Sequence, residues 1–149
     1  MGTRSLTFVY DEQYGRRKPK AIINMYRQYD GYPTGHGAEL AEFLAPFTMV
    51  SGISTREKRK VANGMGCLAA QLVSNFKVDV GGFYLYPVTA LDCGQDYEYH
   101  IYQKDSELRV GITNRGCNFF GLTQSDINDK IFDGTVAEML EFCSETVEV

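Results

Sequence analysis

Between Tyr26 and Gly37 the chain reads Tyr-Arg-Gln-Tyr-Asp-Gly-Tyr-Pro-Thr-Gly-His-Gly, and this segment holds the densest set of chemically capable side chains. Arg27, Asp30 and His36 lie within ten positions, interleaved with tyrosines and glycines. An arginine on the same strand face as Ile23 and Met25 needs a partner, since a guanidinium taken out of water is costly alone. Gly35 and Gly37 free the backbone on both sides of His36 for close approach to a bound group. A helix starting there would present unpaired N–H groups to an anion. The segment therefore reads as an anion site, with Arg27, His36 and the Gly35–Gly37 backbone as anchors. Tyr29 and Tyr32 would cover the rest of a nucleotide-like ligand, and Asp30 would orient Arg27. The alternative is a structural turn in which Arg27 and Asp30 form an internal ion pair. The glycine spacing is not that of a dinucleotide fingerprint, and no βαβ unit surrounds it.

A second constellation is Asn63-Gly64-Met65-Gly66-Cys67. It places Asn63 and Gly64 at a helix start, where they would join the anion site if the two helix starts converge. It also places Cys67 near a helix N-terminus, which lowers a thiol pKa. His100, on a later strand, would be the base of a cysteine hydrolase. Against that stands the frequency with which a lone cysteine is buried core, and no third residue is evident to orient His100. Glu98, His100 and Tyr102 share the outward face of their strand.

These residues need elements to hold them. Leu6, Phe8 and Tyr10 alternate with Thr7 and Val9, the period of a strand. Ala21 to Tyr29 reads as a second strand, pairing antiparallel with the first across the polar Asp11–Lys20 loop. After the Asp30–Pro33 turn a helix is predicted over Gly37–Leu44, from Leu40, Phe43, Leu44 and Phe47. Ser54 and Glu57 have the spacing of a cap. A longer helix covers Met65–Lys77, and Gly81–Gly82 breaks it. Strands follow at Phe83–Val88 and Tyr97–Lys104, the latter turning at Asp105–Ser106 into Leu108, Val110 and Ile112. Thr135 and Glu138 announce a C-terminal helix with a capping box. The order predicts an α+β fold: a two-layer sandwich, with a mostly antiparallel sheet of about five strands and about three helices on one face. With 149 residues, the chain fits one compact domain spanning 1–149.

Composition narrows the functions. A 44% hydrophobic and 23% charged chain is an ordinary globular one. Its net charge of −4 argues against nucleic acid as a partner. The basic runs Arg16–Lys20 and Arg56–Lys60 read as solvated loops. Cys67, Cys93, Cys117 and Cys143 form no C-x-x-C pair, and two histidines are too few for a zinc site, so no metal and no cofactor are expected. The polar N-terminus and the lack of ~20 consecutive apolar residues point to a cytoplasmic protein with reduced thiols and no membrane partner.

Three segments taken together carry a resemblance: Gly2-Thr3-Arg4-Ser5-Leu6-Thr7, Tyr26 to Leu44, and Asn63 to Gln71. Over Gly2 to Tyr102 the chain resembles a small uncharacterised protein family of phage and bacterial genomes. The resemblance implies a viral origin and action in a host cytoplasm, but no activity and no catalytic residue. The leading expectation is a non-catalytic binding module for a small anionic ligand at Tyr26–Gly37. The cysteine hydrolase and a protein–protein interaction module acting on a host partner stand beside it, and a homo-oligomer is left open.

Overall fold

A computed structural model describes residues 2–12, 17–52, 60–115 and 129–145. Among these residues, six strands form one sheet: β1 (Ser5–Tyr10), β2 (Ala21–Arg27), β5 (Phe83–Tyr86), β6 (Tyr97–Lys104), β7 (Glu107–Asn114) and β8 (Asp129–Thr135). They run in the order β5-β2-β1-β6-β7-β8. Every pairing in it is antiparallel except the central one, where β1 lies parallel to β6. Two short strands, β3 (Thr48–Val50) and β4 (Val61–Asn63), make a separate parallel pair.

Among the described residues, three helices, α1 (Ala38–Leu44), α2 (Gly64–Phe76) and α3 (Val136–Glu145), cover one face of the main sheet. Alternation puts Val9, Met25, Tyr99, Ile101, Val110 and Ile112 on that face. There they pack with Leu40, Leu44, Leu68, Leu72 and Met139 in one continuous core. The fold is thus the expected α+β two-layer arrangement, with six strands in the sheet in place of five. The uncounted strand, β8, carries Asp133 and Gly134 and slips register opposite Ile112/Thr113, so its alternation is broken.

The apolar set Leu6, Phe8 and Tyr10 faces away from the helices. With Tyr26, Ala21, Tyr86 and Cys93 it makes a second, smaller cluster. The 87–96 connection is tied to this side of the sheet by Asn24, whose Nδ2 donates to the carbonyls of Pro87 and Ala90. This is the arrangement of a sheet buried on both faces of its centre.

Local signals hold where backbone chemistry dictates them. Asp105 and Ser106 both take positive φ, as a two-residue hairpin turn of the mirror-image type requires. Thr135 and Glu138 form the reciprocal capping box. The Thr135 N–H donates to Glu138 Oε1 at 2.8 Å and the Glu138 N–H to Thr135 Oγ1 at 3.2 Å. Arg16, the Ser54/Glu57 spacing, Cys117 and most of the second basic run lie outside the described residues. Among the described residues, no helix is long and apolar enough to cross a membrane.

Candidate functional site

The strand β2 ends at Arg27, two residues short of Tyr29, because Asp30 takes a positive φ of 57° and turns the chain. A single wide turn over Pro33–Gly37 then leads into α1. The turn folds inward. The Asp30 carbonyl accepts the His36 N–H at 2.8 Å, and the Gly31 carbonyl accepts the Tyr99 hydroxyl at 2.7 Å.

His36 is fully buried. Its Nδ1 lies 3.1 Å from an Arg27 amine and its Nε2 2.8 Å from Thr7 Oγ1. Arginine only donates, so Nδ1 must be the bare nitrogen and Nε2–H donates to Thr7. Phe76, Phe83 and Tyr99 wall the ring, with Tyr99 edge-on at 5.0 Å. Burial, helped by the Arg27 charge, pushes its pKa down to about 3, so the imidazole is neutral at physiological pH.

Arg27 is 4% exposed. Its guanidinium lies against the rings of Phe83 and Tyr29, and one amine donates to Glu39 Oε1 at 2.7 Å. Its Nε has no partner among the described residues. Two expectations are corrected here. Asp30 does not orient Arg27: its carboxylate accepts the Tyr32 hydroxyl at 3.1 Å, and Glu39 is the counter-ion. Nor are Arg27 and His36 anchors open to solvent, since each ring nitrogen of His36 is spent inside the protein.

The glycines have interior reasons as well. A Cβ at Gly35 would stand 2.6 Å from the Asp30 carbonyl oxygen, and one at Gly37 2.9 Å from Cys143 Sγ. Both sites demand glycine for close packing of the protein on itself, with no ligand required.

Asn63 and Gly64 sit elsewhere. They start α2, whereas His36 touches Phe76 at its far end, and 13 residues separate these ends by ~20 Å. The two helix starts do not converge on one pocket. Glu12 already occupies the start of α2: its carboxylate accepts the Met65 N–H at 2.7 Å. Gly64 takes a φ of +84°, where glycine is favoured, and a Cβ there would press on that carboxylate at 2.8 Å. Asn63 accepts the Gly52 N–H through Oδ1 at 2.6 Å. The anion inferred for this helix start is thus a side chain of the protein.

Cys67 packs on the helix side of the sheet, accepting a hydrogen bond from Gln71. His100 stacks on Phe8 on the opposite side, with ring centroids 5.3 Å apart. The sheet stands between them, so the structure does not bring the hydrolase pair together.

His100 does have an orienting residue. Glu98 Oε1 lies 3.2 Å from Nε2, and the Tyr10 hydroxyl lies 2.7 Å from Nδ1. Glu98 is held in turn by Arg115 and by Gln95 Nε2 at 2.8 Å. Burial works to raise the Glu98 pKa, but these donors outweigh it and hold it below the ordinary range, as hydrogen bonds to the charged form do. The common face of Glu98 and His100 is legible from alternation. Tyr10 joins them only through the parallel β1–β6 pairing, which no local pattern announces.

What the Tyr26–Gly37 segment leaves at the surface is aromatic. Tyr29 and Tyr32 are exposed, and the Tyr29 ring lies 3.3 Å from where a Gly82 Cβ would stand. Next along the chain, Phe83, Tyr84 and Leu85 on β5 join Met25, Val73 and Lys77 around a largely apolar cleft of about 320 Å³. Tyr84 and Leu85 are exposed there, Leu85 to 58%. Among the described residues, no three His, Cys, Asp or Glu side chains gather as a metal would need. No protein-family profile matches the chain, and neither a curated protein nor a solved structure matches it.

Proposed function

We propose that the chain is a binding module that recognises a partner protein through the surface formed by Tyr29, Tyr84, Leu85 and the β5 cleft. One observation carries the reading: an apolar cleft of about 320 Å³ opens beside exposed tyrosines at the sheet edge, next to the Tyr26–Gly37 turn. Such a cleft suits an aliphatic or aromatic side chain of a partner, with tyrosines covering its flanks. Lys77, at the rim, favours a partner with a nearby carboxylate. On the resemblance to phage proteins, the partner is sought in a bacterial host lysate.

The small anionic ligand expected at Tyr26–Gly37 finds less support, because Arg27 is paired with Glu39 and His36 with Thr7 and Arg27. A thermal-shift screen against nucleotides tests that second reading directly. For the first, Leu85→Arg fills the cleft mouth with charge and leaves the core alone. A partner captured by the wild type and lost with Leu85→Arg, while Cys67→Ser still captures it, supports the surface assigned here. Equal capture by Leu85→Arg overturns it.

A further inference from the structure

On the face away from the helices, Glu98, His100 and Tyr10 form a hydrogen-bonded line of carboxylate, imidazole and hydroxyl. Glu98 only accepts, so His100 carries its proton on Nε2. The bare Nδ1 then turns toward the Tyr10 hydroxyl 2.7 Å away. That is the geometry in which a base, oriented by a carboxylate, can take the proton of a nucleophile. Three further features are peculiar to this place. The imidazole is fixed flat on Phe8, with 5° between the planes, so its direction is set by packing as well as by Glu98. Register with β2 slips between Val9 and Tyr10, a bulge of the kind that re-aims a side chain. The residue opposite His100 on β7 is Gly111, in mid-strand, with no positive φ and only ordinary contacts for an added Cβ. A glycine costs stability there, and one recurrent reason to keep it is close approach by another group. The His100 side chain is 28% exposed and Tyr10 is partly exposed, so the line is reachable from solvent.

We propose that Tyr10 is a nucleophile activated by His100 and that this face of the sheet accepts an acyl group from an activated ester. The Tyr10 Oη forms a bond to the ester carbonyl carbon as its proton passes to His100 Nδ1. The tetrahedral adduct then collapses, the bond to the leaving oxygen breaks, and that oxygen departs with the proton held by the imidazole. The products are an acyl-tyrosine and an alcohol or phenol. Glu98 faces the imidazolium formed between these steps and stabilises its charge, which makes it a positioning residue. Burial and the Glu98 charge raise the Tyr10 pKa to about 12, so the phenol holds its proton more tightly than a free tyrosine and gives it up only as the bond to the carbonyl carbon forms.

The probe is p-nitrophenyl acetate, offered to the full chain near neutral pH, with the acetyl group located by peptide mass mapping. Tyr84, exposed in the same molecule, is the internal reference. Tyr10 is expected to acetylate about a hundredfold or more faster than Tyr84, the lower end of what general-base assistance gives. Tyr10→Phe, which keeps the ring, removes that label. Glu98→Gln slows acetylation of Tyr10 while the half-saturating ester concentration stays unchanged. Acetylation of Tyr10 no faster than of Tyr84 in the wild type overturns the proposal without reference to any variant. So does undiminished labelling of Tyr10 in His100→Ala.

Discussion

Replacing His36 by glutamine isolates one titration. The folded chain keeps the imidazole neutral, with a pKa of about 3 against an ordinary 6.5. The unfolded chain therefore binds more protons than the folded one between these values, and stability falls as pH drops through that window. Each pH unit inside it costs about 1.4 kcal/mol. Integrated from pH 7 to pH 5, the loss is about 2 kcal/mol, a large share of the ~5–15 kcal/mol that holds a domain together. The held carboxylates do not confuse the result. Asp11, Glu98, Asp133 and Glu138 have lowered pKa values, so their stabilisation is complete above the unfolded 3.8 to 4.5 and fades only below it. In His36→Gln, the amide can donate to Thr7 and accept from Arg27, but it cannot titrate. The variant starts less stable at pH 7, by about 1–3 kcal/mol for the lost ring packing. Urea unfolding from pH 7 to pH 5 should show the gap between wild type and variant narrowing by about 2 kcal/mol. If the two lose stability in parallel over that range, His36 is not a buried neutral group in the folded chain.

Gly37→Ala drives a methyl group to 2.9 Å from Cys143 Sγ and should cost about 1–3 kcal/mol, with Cys143→Ala in the same chain recovering part of it in a double-mutant cycle. Glu12→Ala removes the carboxylate that caps α2 and should lower stability by about 1 kcal/mol in chemical denaturation; no change would mean that the Met65 N–H finds another partner. Thr135→Ala breaks the capping box of α3 for about 1 kcal/mol, read in the same way. Arg27→Ala leaves the buried His36 Nδ1 without its donor and releases the exposed Glu39, and should cost about 1–3 kcal/mol, an effect beyond that of an exposed arginine.

Much of the scaffold is readable because it depends on neighbours in the chain. The alternation of β6, the 3.6-residue stripe of α2 and the Thr135/Glu138 box each fit within a few positions. The site is harder for the opposite reason. Arg27, His36 and Asp30 do lie close together, as their spacing suggests, but their partners Glu39, Thr7 and Tyr99 come from three other elements. Nothing local says whether a polar cluster turns toward solvent or into the core. Gly35 and Gly37 look alike whether a ligand or Cys143 crowds them. Likewise, the helix start at Gly64 looks vacant until Glu12 arrives from the end of β1. The Tyr10–His100 pair needs strands that are far apart in the sequence to lie side by side.

That last pairing also bears on how the chain assembles. Next to it, the Arg4 N–H reaches the Asp96 side chain across 92 positions, and β1 meets β6 over the same span. The β1–β2 hairpin can close as soon as its own residues are made, yet one whole side of β1 stays unpaired until β6 emerges from the ribosome. At ~5–20 residues per second, that leaves Leu6 and Phe8 exposed for several seconds beside an open strand edge. The middle of the sheet therefore stays open until β6 has been made, and over that interval it is where a nascent chain is exposed to wrong partners.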